Sequence, residues 1–150
     1  MARTALDEVD LVIMTMSKTI VDNADYFAQL DAVAGDGDFG YSLRNGFEVV
    51  VADYATFDRS SIGSILKRVG FVIAGKVGGV SGPIWGTAFL RAAATAGDKT
   101  ELTSTELIDV LRAAIVIVAL HFLHIGNINF ARSVFNHVHD AIGAVTKIVI

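Results

Sequence analysis

No cysteine occurs among the 150 residues, and proline occurs once, at Pro83. The first absence excludes disulfides and thiol chemistry. The second, with a scarcity of alternating apolar and polar runs, favours helices over strands. Basic charge is also short: Lys and Arg total 12 against 16 Asp and Glu, a formal net charge of −4. Nucleic-acid binders usually carry a basic face, so no nucleic-acid partner is expected. Long apolar runs are missing too. "AAIVIVALHFLHI", residues 113–125, is the greasiest stretch and already contains two histidines, whereas a bilayer crossing needs roughly 20 apolar residues. No membrane span is expected. The opening "MARTALDEVD" turns acidic too early for a signal peptide, which makes the cytoplasm the expected location. What the chain has in quantity is apolar side chain, 53% of residues with a mean hydropathy of +0.54. A chain of this length can bury a real core as one domain.

Helical periodicity runs through most of the sequence. Leu6, Val9, Ile13, Met16 and Ile20 recur at three- and four-residue spacing, the pattern of an amphipathic helix, with Thr4 as its cap. "ADYFAQL" reads as a second helix ending at Asp31. Further helices are expected over 40–56 (Leu43, Phe47, Val50, Val51), 61–76 (Ile62, Ile65, Leu66, Val69, Ile73) and 84–96. Thr103 and Glu106 form a capping box ahead of another helix at 104–118. The expected fold is therefore all-α, a single domain over 1–150 of packed amphipathic helices interrupted by two glycine-rich loops.

The first loop lies in "LDAVAGDGDFG", residues 30–40, where Asp31, Asp36 and Asp38 alternate with Gly35, Gly37 and Gly40. Carboxylates this close repel one another unless a cation sits between them. Hard divalent ions take oxygen ligands, and magnesium commonly links one or two carboxylates to substrate phosphates. The same spacing also suits a turn whose aspartates cap the following helix. The second loop, "GKVGGVSGPIWG", sets Gly78, Gly79 and Gly82 around Val80 and Ser81, with Pro83 suited to the first turn of a helix. Free backbone N–H groups and a helix N-terminus suit phosphate, and close helix packing through small residues is the other reading. No Gly-Lys-Ser/Thr follows, so this is not a Walker A loop. A carboxylate cluster and a glycine loop in one chain point together to a nucleotide site between helices.

"LDAVAGDGDFGYSLRNGF" and "GGVSGPIWGTAFLRAA" resemble the two signature loops of the nucleotide-binding (L) subunit of dihydroxyacetone kinase, or the C-terminal domain of its single-chain forms. The resemblance runs from about Leu6 to about Ile115. It implies an antiparallel barrel or bundle of helices with ADP or ATP and two magnesium ions at one end. On the matching positions it implies Asp31, Asp36 and Asp38 as metal ligands and Gly78, Gly79, Val80, Ser81 and Gly82 as the phosphate loop. It implies a partner subunit or domain holding a ketose on a histidine, and a phosphocarrier protein as a further partner in the forms that work through bound ADP. No residue of this chain is assigned a covalent catalytic role.

Departures from the pattern are local up to residue 115 and wide beyond it. Phe39 stands where the family has a small polar residue or histidine, Asn45 where it has arginine, and Val80 where it has a hydroxyl residue. The segment 116–150 is apolar, carries all four histidines (His121, His124, His137, His139) and lacks the family's later loops. Four imidazoles could bind a transition metal, although scattered half-buried histidines fit their spacing better. A shortened helical barrel would expose faces that a second copy could cover, so a homo-oligomer is expected; the apolar tail leads to an alternative function, a non-catalytic helical relative acting as an oligomerisation or interaction module.

Overall fold

The computed structural model describes residues 3–33 and 35–124, with side chains excepted at 3, 4, 119 and 121–124. His137 and His139 lie outside the described residues, as do the side chains of His121 and His124. The elements in chain order are β1 (Arg3–Ala5), α1 (Leu6–Asp22), α2 (Ala24–Asp31), α3 (Phe39–Asp53), a 3-10 turn (Tyr54–Thr56), α4 (Ile62–Lys76), α5 (Ser81–Ala96), β2 (Glu101–Thr103) and α6 (Ser104–His124). The all-α class expected from the periodicity holds, as a helical bundle without a closed barrel among the described residues.

Of the two start signals that the sequence offers, one is used and one is not. Thr4, the expected cap of α1, lies instead in β1, paired with Leu102. The N-cap position falls to Ala5, which has no side-chain acceptor, and the Glu8 carboxylate accepts from the Ala5 N–H at 3.3 Å. Pairing with β2 pulls Thr4 into extended backbone and so out of the cap. Ser61, for which no cap was read from the sequence, caps α4, its Oγ accepting from the Ser64 N–H at 3.0 Å. The Thr103–Glu106 box ahead of α6 is closed in both directions: Thr103 N–H donates to Glu106 Oε2 at 2.7 Å, and Glu106 N–H donates to Thr103 Oγ1 at 3.3 Å. Two orphan backbone donors are satisfied in this way.

α4 is the centre of the molecule. Ile62, Ile65, Leu66, Val69, Val72 and Ile73 are all buried, and the core they build also takes in Phe47 and Val50 of α3 and Ala92, Ala93 and Ala96 of α5. Each such large side chain removed from water stabilises the fold by about 1.5–3 kcal/mol. α4 and α5 run antiparallel and close together, because their facing surfaces are small. A Cβ added to Gly86 would lie 2.6 Å from the Ala74 Cβ, so only glycine admits this approach. At the far end of the same pair the Gly63 N–H donates to the Gly97 carbonyl at 3.2 Å. α1 joins the core through Val9 and Ile13, and its buried Ser17 is satisfied by donating to the Ile13 carbonyl at 2.7 Å.

α1, α4, α5 and α6 surround a wholly apolar cavity of about 330 Å³, with Ile13, Leu66, Trp85, Phe89, Leu102 and Val110 in its wall. At the edge of the bundle, Asp10 of α1 accepts from the Tyr54 hydroxyl at 2.8 Å and pairs with Arg59. Burial and the Asp10 carboxylate together hold the Tyr54 hydroxyl protonated well above its ordinary range. This cluster ties the α3–α4 connection to α1. Among the described residues no helix is long and apolar enough to cross a membrane.

Candidate functional site

The connection between α2 and α3 gathers the three aspartates at one end of the bundle. Asp31 closes α2, Asp38 is the N-cap residue of α3, and Asp36 lies between them. One carboxylate oxygen from each falls within 4.8 Å of the others. Asp31 organises the turn, since its Oδ2 accepts from the Gly37 N–H at 3.0 Å and from the Phe39 N–H at 3.3 Å. Asp36 accepts from the Asp38 N–H at 3.3 Å. The loop can fold this tightly because α2 and α3 nearly touch: a Cβ on Gly40 would come within 1.9 Å of the Ala24 carbonyl oxygen.

Electrostatics set this loop apart from the rest of the fold. No Lys or Arg pairs with Asp31, Asp36 or Asp38 among the described residues. The neighbouring Asp36 charge raises the Asp38 carboxyl above its ordinary value of 3.8, with smaller contributions from desolvation, its contact with Asp36 and the Asp31 charge. Like charges crowded in one place disfavour ionisation in this direction. Asp31 and Asp36 accept backbone N–H groups of the turn, and the carboxylates of Asp36 and Asp38 are exposed. The donor set, three carboxylates with converging oxygens, fits a hard divalent cation such as magnesium.

The glycine loop lies against the same end. α3 and α4 run antiparallel, so the start of α3 meets the end of α4. A Cβ on Gly78 would stand 3.3 Å from Ser42 Oγ, and one on Gly46 would stand 2.4 Å from Val77 Cγ2. Gly79 takes a left-handed φ of +60°, which favours glycine, and this turn delivers the chain into α5. Val80 is the N-cap residue of α5 and is 69% exposed. Ser81 is the first helical residue, Gly82 is buried behind it, and Pro83 occupies the first turn. Val80 has no side-chain acceptor, so its side chain leaves the N–H groups of the first turn uncapped. Such a helix start favours an anion.

The two loops, separate in the sequence, are thus brought to one end of the bundle through the contact between α3 and the α4–α5 connection. Sequence reasoning missed Ser42, whose hydroxyl stands where the glycine loop meets the first turn of α3. Its signal was spacing alone, four residues after Asp38 and hence on nearly the same helix face. It also missed the short β1–β2 ribbon, whose strands are three residues each and lie far apart in sequence.

The DAK2 domain profile matches residues 33–121. The chain is 38% identical over 89 residues to the ADP-binding subunit of the PEP-dependent dihydroxyacetone kinase of Escherichia coli, covering 59% of this chain and 42% of that protein. It is 38% identical over 98 residues to the corresponding subunit of kinase 2 of Listeria innocua, covering 64% and 45%. It is also 33% identical over 98 residues to the L-erythrulose kinase of Pectobacterium atrosepticum, covering 63% and 16%. The chain thus spans less than half the length of these curated relatives. On the match over residues 33–121, more than half of its length, the chain belongs to the DAK2-domain family.

Proposed function

We propose that this chain is the nucleotide- and magnesium-binding part of a dihydroxyacetone kinase, passing a phosphoryl group to a ketose held by a partner subunit or domain. The observation that carries this reading is the meeting of an uncompensated three-carboxylate cluster with a glycine loop and helix start suited to phosphate. The similar subunits of Escherichia coli and Listeria innocua are named for ADP binding, which supports a nucleoside diphosphate or triphosphate as the ligand.

In this reading Asp31, Asp36 and Asp38 hold magnesium, whose charge would neutralise the phosphates during transfer. Asp31 also fixes the loop through the Gly37 and Phe39 N–H groups, so that the other two carboxylates converge. Gly78, Gly79 and Gly82 shape a loop in which the backbone N–H groups at Val80 and Ser81, the Ser81 hydroxyl and the α5 N-terminus meet phosphate oxygens. Ser42 faces the same space from α3. Phosphoryl transfer asks a protein mainly for positioning and charge compensation, and this chain offers both. The ketose, its anchoring group and any phosphocarrier donor belong to partner chains.

The test is calorimetric titration of the folded chain with ADP and with ATP, each with and without magnesium. Magnesium-dependent binding is the expected result. A folded chain that binds neither nucleotide would overturn the reading. It would favour the second one, an interaction module, for which the exposed Leu11 and Val12 on α1 and Val116 and Leu120 on α6 are the supporting observation.

A further inference from the structure

The apolar cavity between α1, α4, α5 and α6 has an unfinished side. Val12 of α1 and Leu111 of α6 both line it, yet Val12 is 61% and Leu111 37% exposed. Its mouth therefore opens between these two helices. The same face of α6 continues past Ala114 to Val118, one turn on and half-buried. An apolar strip of this kind marks a surface that something covers. The wall holds no charged side chain, so the cover has to present a face without charge. The sequence continues past His124 with residues 125–150, whose only charged residues are Arg132, Asp140 and Lys147.

We propose that residues 131–149 form an amphipathic helix that closes this mouth within the same chain. Val134, Phe135, Val138, Ile142, Val145 and Val149 recur at three- and four-residue spacing, the pattern of a core-facing helix. On a helical projection they share a stripe about 100° wide, and all three charged residues fall away from it. The length of the segment fits as well. "IGNINF", residues 125–130, supplies Gly126, Asn127 and Asn129 for a turn, and its length is common between antiparallel helices. A helix that starts at 131 and runs back beside α6 brings Val138 level with about residue 117, Ile142 with about 113 and Val145 with about 110. Ile142 and Val145 thus arrive at the mouth, beside Val110, Leu111 and Ala114, and Val138 arrives beside Val118. Tethering favours this occupant over a second copy, because the short connection holds the segment at a high local concentration. The docking is independent of the nucleotide reading.

Trp85, the only tryptophan of the chain, lines the cavity and reports on its cover. Acrylamide quenching of its fluorescence is compared among the parent, Ile142→Asp and Asn136→Asp chains. A charge on the stripe is expected to unseat the segment, giving stronger quenching and emission shifted to longer wavelength. Asn136→Asp, on the opposite face of the segment, is expected to match the parent. Equal quenching in all three would overturn the proposal. A second variant identifies the occupant. The chain has no cysteine, so Val12→Cys with Val145→Cys creates a single pair across the mouth, which a short bismaleimide is expected to join within one chain. A link formed only between two chains would give the mouth to a second copy, and no link would leave it uncovered by the segment; either result overturns the proposal. If Ile142→Asp does not fold, the cysteine pair decides alone, since cysteine is a small hydrophobe close to valine in size.

Discussion

Two carboxylate clusters of this protein meet opposite fates. Asp10 sits in a pocket of partners: the Tyr54 hydroxyl donates to one oxygen and Arg59 pairs with the other. Asp31, Asp36 and Asp38 crowd together with backbone donors and, among the described residues, no Lys or Arg partner. The first cluster is complete within the fold, and it fastens α1 to the α3–α4 connection. The second is left in deficit, with the Asp36 charge holding the Asp38 proton more tightly than usual. The fold compensates the first charge within itself, whereas it concentrates the second set, and under the proposed function a bound cation compensates it.

The contrast can be broken most forcefully at its centre. Asp36→Asn removes one cation ligand and should weaken magnesium-nucleotide binding by at least ~100-fold, beyond the roughly 10–100-fold typical of residues that merely support a ligand. Circular dichroism should show the helices intact. Asp10→Ala should do the reverse. It is expected to cost about 1.5–3 kcal/mol of stability by chemical denaturation, the range for hydrogen bonds to a charged group, while nucleotide affinity is unchanged.

Gly40→Ala tests whether the loop depends on the close approach of α2 and α3. The added Cβ would strike the Ala24 carbonyl, with an expected cost of about 1–3 kcal/mol from overpacking. Nucleotide affinity should fall with it, because α2 carries Asp31 and α3 begins beside Asp38.

A subtler prediction concerns pH. The folded-state carboxyl of Asp38 is raised, so the folded chain binds this proton more tightly than the unfolded chain does. Stability from this group then falls as pH rises from the ordinary 3.8 through the raised value. Asp58 is shifted the other way, lowered first by the Ser60 N–H and then by the Ser60 hydroxyl. Its contribution is present above the ordinary carboxylate value and is lost as pH falls through the lowered one. Melting temperature against pH should therefore lose a decline on alkalinisation in Asp38→Asn, and lose part of the acid-side drop in Asp58→Asn. Smallest of all, Lys18→Ala removes an exposed pair with Asp22 and should change stability by no more than about 0.5 kcal/mol.

Much of this architecture was legible in the chain. The apolar spacing of α1, α3 and α4 places Ile13, Phe47 and Ile73 in the core, where they are found, because helical period and burial are linked residue by residue. The Thr103–Glu106 box was legible for the same reason, both partners lying within one turn. The β1–β2 ribbon was not, since Thr4 and Leu102 are neighbours only through the tertiary fold. That pairing is what displaces the expected cap of α1. Of the candidate site, each loop could be read by composition, while their meeting at Gly78 and Ser42 depends on antiparallel packing of α3 and α4.

Whether a magnesium-bound nucleotide completes the aspartate cluster is decided by the thermal unfolding of the parent and Asp36→Asn chains with ADP alone, magnesium alone and both together. A ligand that binds the folded state raises its stability by mass action. The parent is expected to show a rise that is largest with both present and is lost in Asp36→Asn. An equal rise in both chains, or none in the parent, would contradict it.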